Sequence, residues 1–187
     1  MQKMRWVLGF VLMLVCSGLA VAAAQPDEHR TVSQVMDRAV TSVEGEFVPA
    51  AEAMPEGKYA FAPTSGEFKG VRTFAQQVKH VAAVNYIIGA SILVEKPPVE
   101  LGGENGPDAI SSKADIVKFL KESFAYLHKA VSSVNEKNLT EPIPYPFGKE
   151  KTTRLGMATL AVGHCFDHYG QMVEYLRMNS IVPPASR

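Results

Sequence analysis

Two histidines one helical turn apart, His164 and His168 in the stretch GHCFDHYGQM, are the residues of this chain best suited to chemistry. In a helix they stand about 40° apart around the axis, on the side that also carries Met157, Leu160, Ala161, Met172 and Tyr175. Their imidazoles therefore point toward a core or a cavity in it. Side chains at i and i+4 are close enough for two rings to converge on one ion, and zinc-type sites use three protein ligands with an open position for catalysis. A competing reading makes both rings ordinary hydrogen-bonded core residues. Each buried imidazole, however, has to place two ring nitrogens, which is costly for a pair on one apolar stripe.

A third ligand is available in His80. Its helical face continues to Val84 and Ile87 on one side and to Thr73 and Gln76 on the other, a polar entrance over an apolar floor. The remaining histidines fit less well. His29 falls at the frayed start of the folded part, and His128 flanks its stripe beside Lys129, a partly exposed position. Cys165 is about 100° from His164, so it reads as packing and not as a ligand. Asp167 is within reach of the His164 ring but is expected to be a solvated carboxylate. Gln76 and Tyr175 are the candidates for orienting a bound molecule, and no general base is identifiable.

Several chemistries are excluded by pattern. HCFDH lacks the glutamate that follows the first histidine in zinc metalloproteases, and the inner stripes lack the carboxylates of a di-iron bundle. There is no C-x-x-C-H for covalent haem and no G-x-S-x-G elbow of a serine hydrolase.

Four helices are required to position these residues. The first is expected from about Thr31 to Ala53, with Val32, Met36, Ala39, Val40, Val43 and Phe47 on one stripe and Pro49 bending or ending its last turn. The second is expected from about Glu67 to Val94, opened by the serine of SGE. The third runs from about Ser111 to Val134 behind cap-type serines, with Ile116, Phe119, Leu120, Ser123, Leu127, Ala130, Val131 and Val134 inward. The fourth runs from about Thr153 to Met178, before the prolines of NSIVPP. No strand alternation competes with them. The class is all-α, one four-helix bundle with long inter-helix connections that permit crossovers.

The N-terminus reads as a separate module. A basic start (Lys3, Arg5), an apolar run from Trp6 to about Val15 and a small-residue stretch ending at Ala24 have the layout of a secretory signal peptide. A membrane anchor is the alternative. Residues 1–24 are thus expected to be the signal and residues 25–187 the domain, in the periplasm or secreted. Removing Lys3 and Arg5 from the 19 basic residues leaves 17 against 19 acidic ones, which gives no electrostatic footprint for nucleic acid. It also leaves one cysteine, Cys165, so no internal disulfide can form.

Gly156, Gly163 and Gly170 recur every seven residues along the fourth helix. Opposite the histidines, Leu155, Val162, Phe166, Tyr169, Val173 and Leu176 form a second apolar face. A helix apolar on two sides is expected to be buried in an interface, which suggests a homodimer.

With His80 in the second helix and HCFDHYGQMVEYLRMNSIVPP in the fourth, the chain from about Thr31 to Pro184 resembles the DinB/YfiT-like four-helix-bundle family. The resemblance implies a divalent metal, zinc or nickel, held by His80, His164 and His168, and a homodimer. It also implies a small-molecule substrate, since some relatives resemble thiol S-transferases in which the metal activates the thiol. The expected function is therefore a metal-dependent enzyme of hydrolase or thiol S-transferase type. The alternative is a non-catalytic, metal-binding or stress-related envelope protein.

Overall fold

The computed structural model describes residues 29–103 and 105–187; the expected signal segment, residues 1–24, lies outside them. Four helices build the body: α1 (Val32–Ala53), α2 (Phe74–Leu93), α3 (Lys113–Ser132) and α4 (Arg154–Met178). Each starts where a hydroxyl residue can accept from the first turn's free amides. Thr31 and Thr73 form full capping boxes with Gln34 and Gln76, Ser112 accepts from Asp115 N, and Thr153 accepts from Gly156 N.

Two expectations are corrected, the start of α2 and the all-loop third connection. Helix α2 begins at Phe74 and not near residue 67, because the Thr73–Gln76 box sets the start and Gly70 ahead of it sits at φ +81°, outside helical space. Helix α1 ends at Ala53 as expected, with Pro49 inside its last turns. That last turn is held by buried Ala50, Ala51 and Met54, and its carbonyls accept from the Tyr59 hydroxyl (Ala51 O, 2.7 Å) and from Lys113 Nζ (Glu52 O, 2.7 Å). The third connection is not all loop: β1 (Pro142–Pro144) pairs antiparallel with β2 (Lys151–Thr153).

Helix α1 packs along α3 and α4, and so does α2, leaving α1 and α2 on one diagonal of the bundle and α3 and α4 on the other. The α1–α2 and α3–α4 connections are thus crossovers between non-neighbours, while the α2–α3 connection joins adjacent helices. All eight inward residues expected for α3 lie in the core. Helix α2 is buried on most of its circumference, because the hairpin and the loop before α3 cover its outer side. Ser91 Oγ donates to Pro144 O at 3.1 Å. The buried Lys79 donates to Pro107 O and Ile110 O at 2.9 and 3.2 Å. Gly106 makes that approach possible, since a Cβ there would lie 2.7 Å from Lys79 Cβ.

Gly89 shows how tightly α2 and α3 meet. Alanine would add about 1 kcal/mol of helix propensity, but its Cβ would stand 2.8 Å from the Tyr126 ring. That ring is held by its hydroxyl on Glu95 (2.8 Å) and by Tyr86. Overpacking costs of about 1–3 kcal/mol outweigh the propensity gain, so Gly89→Ala is expected to lower the urea midpoint.

His128, expected to be partly exposed, is half-buried between α1 and α3 and carries a role its sequence context did not reveal. Its Nδ1 contacts Asp37 Oδ1 at 2.6 Å and its Nε2 contacts Glu44 Oε2 at 3.1 Å. Burial works against the charged ring, but the two carboxylates outweigh it and raise the pKa above 6.5. A raised histidine pKa stabilises the fold fully below 6.5, and the contribution fades as pH rises through the folded-state value. Urea unfolding of His128→Gln should therefore show its largest deficit against the wild type near about pH 6, shrinking in alkali.

Candidate metal centre

Helix α2 contributes His80 and α4 contributes His164 and His168. The three rings meet with centroids 5.1, 4.8 and 4.5 Å apart, for the pairs 80–164, 80–168 and 164–168. One ring nitrogen from each lies within 4.8 Å of the others, and this is the only such His/Cys/Asp/Glu group among the described residues. His80 Nε2 and His164 Nε2 are 3.1 Å apart. Two nitrogens bound at about 2.0–2.1 Å to one ion stand roughly 2.9–3.4 Å apart in octahedral to tetrahedral geometry, so this pair already has the spacing of two ligands.

The set also matches a metal in its protonation. Burial first, and then the neighbouring histidines and Arg72, hold His164 down to about 3; burial and His80 hold His168 down to about 4. Both are neutral at ordinary pH, the form with a lone pair to give. His164 Nδ1 is buried with no hydrogen-bond partner, a cost that the cluster carries with its Nε2 turned to the other rings.

Behind His168 runs a chain of hydrogen bonds whose direction is set by its last member. The exposed Asp167 carboxylate only accepts, so Gln171 Nε2 donates to it at 3.1 Å. Gln171 Oε1 then accepts from Gln77 Nε2 at 2.8 Å, which turns Gln77 Oε1 toward His168 Nδ1 at 2.6 Å. His168 therefore carries its proton on Nδ1 and presents a bare Nε2 to the other rings.

The orienting residues expected from sequence are elsewhere engaged. Gln76 closes the α2 capping box, and the Tyr175 hydroxyl donates to Arg72 O at 3.0 Å. Gln77, buried to 2% exposure, orients His168, a role that sequence reading assigned to no residue. Its signal was its position three residues before His80, on the same side of α2. Asp167 is solvated as expected, with Gln171 as its partner. Cys165 is buried in the core and donates to Asn85 Oδ1 at 3.3 Å, and burial pushes its thiol up to about 12. It is packing, as expected. Leu160 is the exception on the histidine side of α4, at 36% exposure.

Two clefts lie by the site, one of them bordered by His80. A cleft of about 520 Å³ is walled by His80, Val84, Ile87, Leu101 and Phe147, and a polar one of about 470 Å³ by Gln76, Gln77, Asn105 and Gln171. Arg72 borders both, with Nε donating to Asn105 Oδ1 at 2.9 Å. Of the residues expected around His80, Val84 and Ile87 line the cleft that His80 borders, and Gln76 lines the polar one.

Residues 39–172 match the sequence pattern of the DinB superfamily. In fold, the chain is similar to a crystal structure of a DinB-like protein from Bacillus cereus, with a TM-score of 0.64 and 15% identity over 84% of this chain and 98% of that one. It is similar in the same way to a conserved protein from Enterococcus faecalis, with a TM-score of 0.63 and 15% identity over 80% and 97%. No curated protein matches the chain.

Proposed function

The chain belongs to the DinB superfamily, and on that premise we propose that His80, His164 and His168 hold a divalent ion, zinc or nickel, in a metal-dependent enzyme of hydrolase or thiol-transferase type. The observation that carries the reading is the convergence of three ring nitrogens within 4.8 Å from two different helices. A bound ion supplies Lewis acidity that acidifies a water or thiol or polarises a substrate oxygen. The protein's own share is to bring three imidazoles together, two of them, His164 and His168, held neutral, to fix the His168 tautomer through Gln77, and to place Arg72 beside the substrate's path. Of the two reaction types we favour hydrolysis. The layout of residues 1–24 supports export, away from the mainly cytosolic small thiols, and water needs no supply.

One observation favours a non-catalytic, metal-binding envelope protein: among the described residues, neither cleft is lined by a carboxylate that would take a proton. Metal analysis of protein purified without a histidine tag, followed by a screen of ester hydrolysis and thiol transfer, separates these readings. About one equivalent of metal with chelator-sensitive turnover supports the enzyme, metal without turnover supports the alternative, and protein without metal removes both.

A homodimer is proposed on the exposed edge of α4. Phe166 is 40% exposed there, and no atom of another element lies within 4 Å of a Cβ built at Gly163 or Gly170. Sedimentation equilibrium at tens of micromolar should give twice the chain mass, reduced to the monomer by Phe166→Glu; a monomeric wild type contradicts it.

A further inference from the structure

His80 borders a cleft of about 520 Å³, within the size range of small-molecule sites. A cavity of about 150 Å³ in a protein core already holds benzene, so there is room here for one or two rings. Ala83, Val84 and Ile87 continue from His80 along α2 as one wall. Leu101 with Gly102 and Gly103 forms another, and Phe147 a third. Among the described residues Arg72 completes the lining, its Nε engaged by Asn105 Oδ1 at 2.9 Å.

Phe147 is the informative residue. It stands at the tip of the β1–β2 hairpin and is 47% exposed, yet it is held in place. Its ring packs edge-on against Tyr145, centroids 5.6 Å apart, and Tyr145 N donates to Glu150 O at 3.2 Å. Ser91 Oγ ties the hairpin to α2 through Pro144 O. A single exposed phenylalanine is ordinary on a protein surface. Phe147 differs because its ring walls an apolar cleft that starts at a histidine of the metal centre. The Leu101 wall is fixed as well. Gly102 turns at φ +66°, and a Cβ there would stand 2.8 Å from Gly106 O and from Pro107 Cα, so that turn admits no side chain. Walls built in advance spare a ligand the cost of ordering them.

The lining limits its occupant. Beyond His80 and Arg72, its side chains carry no hydrogen-bonding group. A charged substituent taken among them would give up hydration that nothing replaces. A flat, uncharged ring has little to give up, and it can meet the Phe147 ring by its edge or its offset face.

We propose that this cleft receives an uncharged aromatic group of the substrate, of one or two rings, and that Phe147 is the residue that selects it. This deepens the enzyme reading by naming a substrate class, and it rests on that reading only for the occupant being turned over.

The test is fluorescence titration of 2-naphthol, and of its charged counterpart 2-naphthoate, on the full chain in chelator-treated and zinc-loaded forms. 2-Naphthol is expected to bind both forms. It should bind the chelator-treated form at least about tenfold more tightly than 2-naphthoate does. Phe147→Ser should weaken 2-naphthol by about threefold to tenfold, the range that one aromatic contact carries, with zinc content and urea midpoint unchanged. Phe147→Tyr, which keeps the ring, should restore binding. Phe68→Ser, which removes a phenylalanine 40% exposed and outside this lining, should bind like the wild type. A chelator-treated protein that binds 2-naphthol no better than 2-naphthoate overturns the proposal. So does a Phe147→Ser protein that matches the wild type, or a Phe68→Ser protein weakened as much as Phe147→Ser. The expected pattern in a protein that takes up no zinc keeps the cleft and removes the metal centre instead. Zinc uptake without 2-naphthol binding keeps the metal centre and removes this proposal.

Discussion

Replacing His164 by alanine is expected to lower zinc or nickel affinity by more than about 100-fold, beyond the 10–100-fold typical of losing a partner behind a ligand. It takes part in two of the site's pairings. It shares α4 with His168, and its Nε2 stands 3.1 Å from His80 Nε2, so its loss removes both the i, i+4 pair and the cross-helix pair. The metal-free fold should suffer little, because the substitution also removes the buried Nδ1 that no group satisfies; such an orphan costs about 1–3 kcal/mol. Thermal unfolding should show the contrast. At 100 times the dissociation constant a ligand stabilises by about 2.7 kcal/mol, so zinc should shift the wild-type melt by several degrees and leave that of His164→Ala in place. Calorimetric titration measures the affinity directly.

Gln77→Leu comes next in size. It removes the acceptor that holds the His168 proton on Nδ1, so the ring is free to protonate Nε2, the nitrogen needed inward. A loss of about 10–100-fold in metal affinity is expected, with the metal-free protein destabilised by the unpaired Nδ1. Asp167→Asn should give the same direction and a smaller effect. An amide both donates and accepts, so the chain through Gln171 and Gln77 loses its fixed sense without losing its atoms. Cys165→Ser, next to His164 in sequence, should leave metal binding unchanged. Equal losses in all three variants would mean that the effect is general softening of α4 and not tautomer control.

The helices and the three histidines were legible in the sequence because each rests on a periodic or capped pattern. Thr153 to Met178 reads as a helix from its own stripe, and His80, His164 and His168 face inward by angle alone. The start of α2 was misplaced by seven residues because SGE and Thr73–Gln76 both look like caps, and only the turn at Gly70 decides between them. The two-stranded hairpin was hidden because a three-residue strand of Pro-Ile-Pro has no alternation to read. What escaped sequence reading altogether depends on side chains from distant segments. Gln77 meets Gln171 across 94 residues and His128 meets Asp37 across 91, and nothing local marks either pair.

The most direct test of the metal centre is X-ray absorption at the metal edge of the zinc-loaded, untagged protein, read for the number of imidazoles. Three histidine nitrogens at about 2.0–2.1 Å, with the remaining positions filled by oxygen ligands, are expected, falling to two imidazoles in His80→Ala. A first shell with one imidazole or none, or a sulfur ligand at about 2.3 Å, would contradict the account.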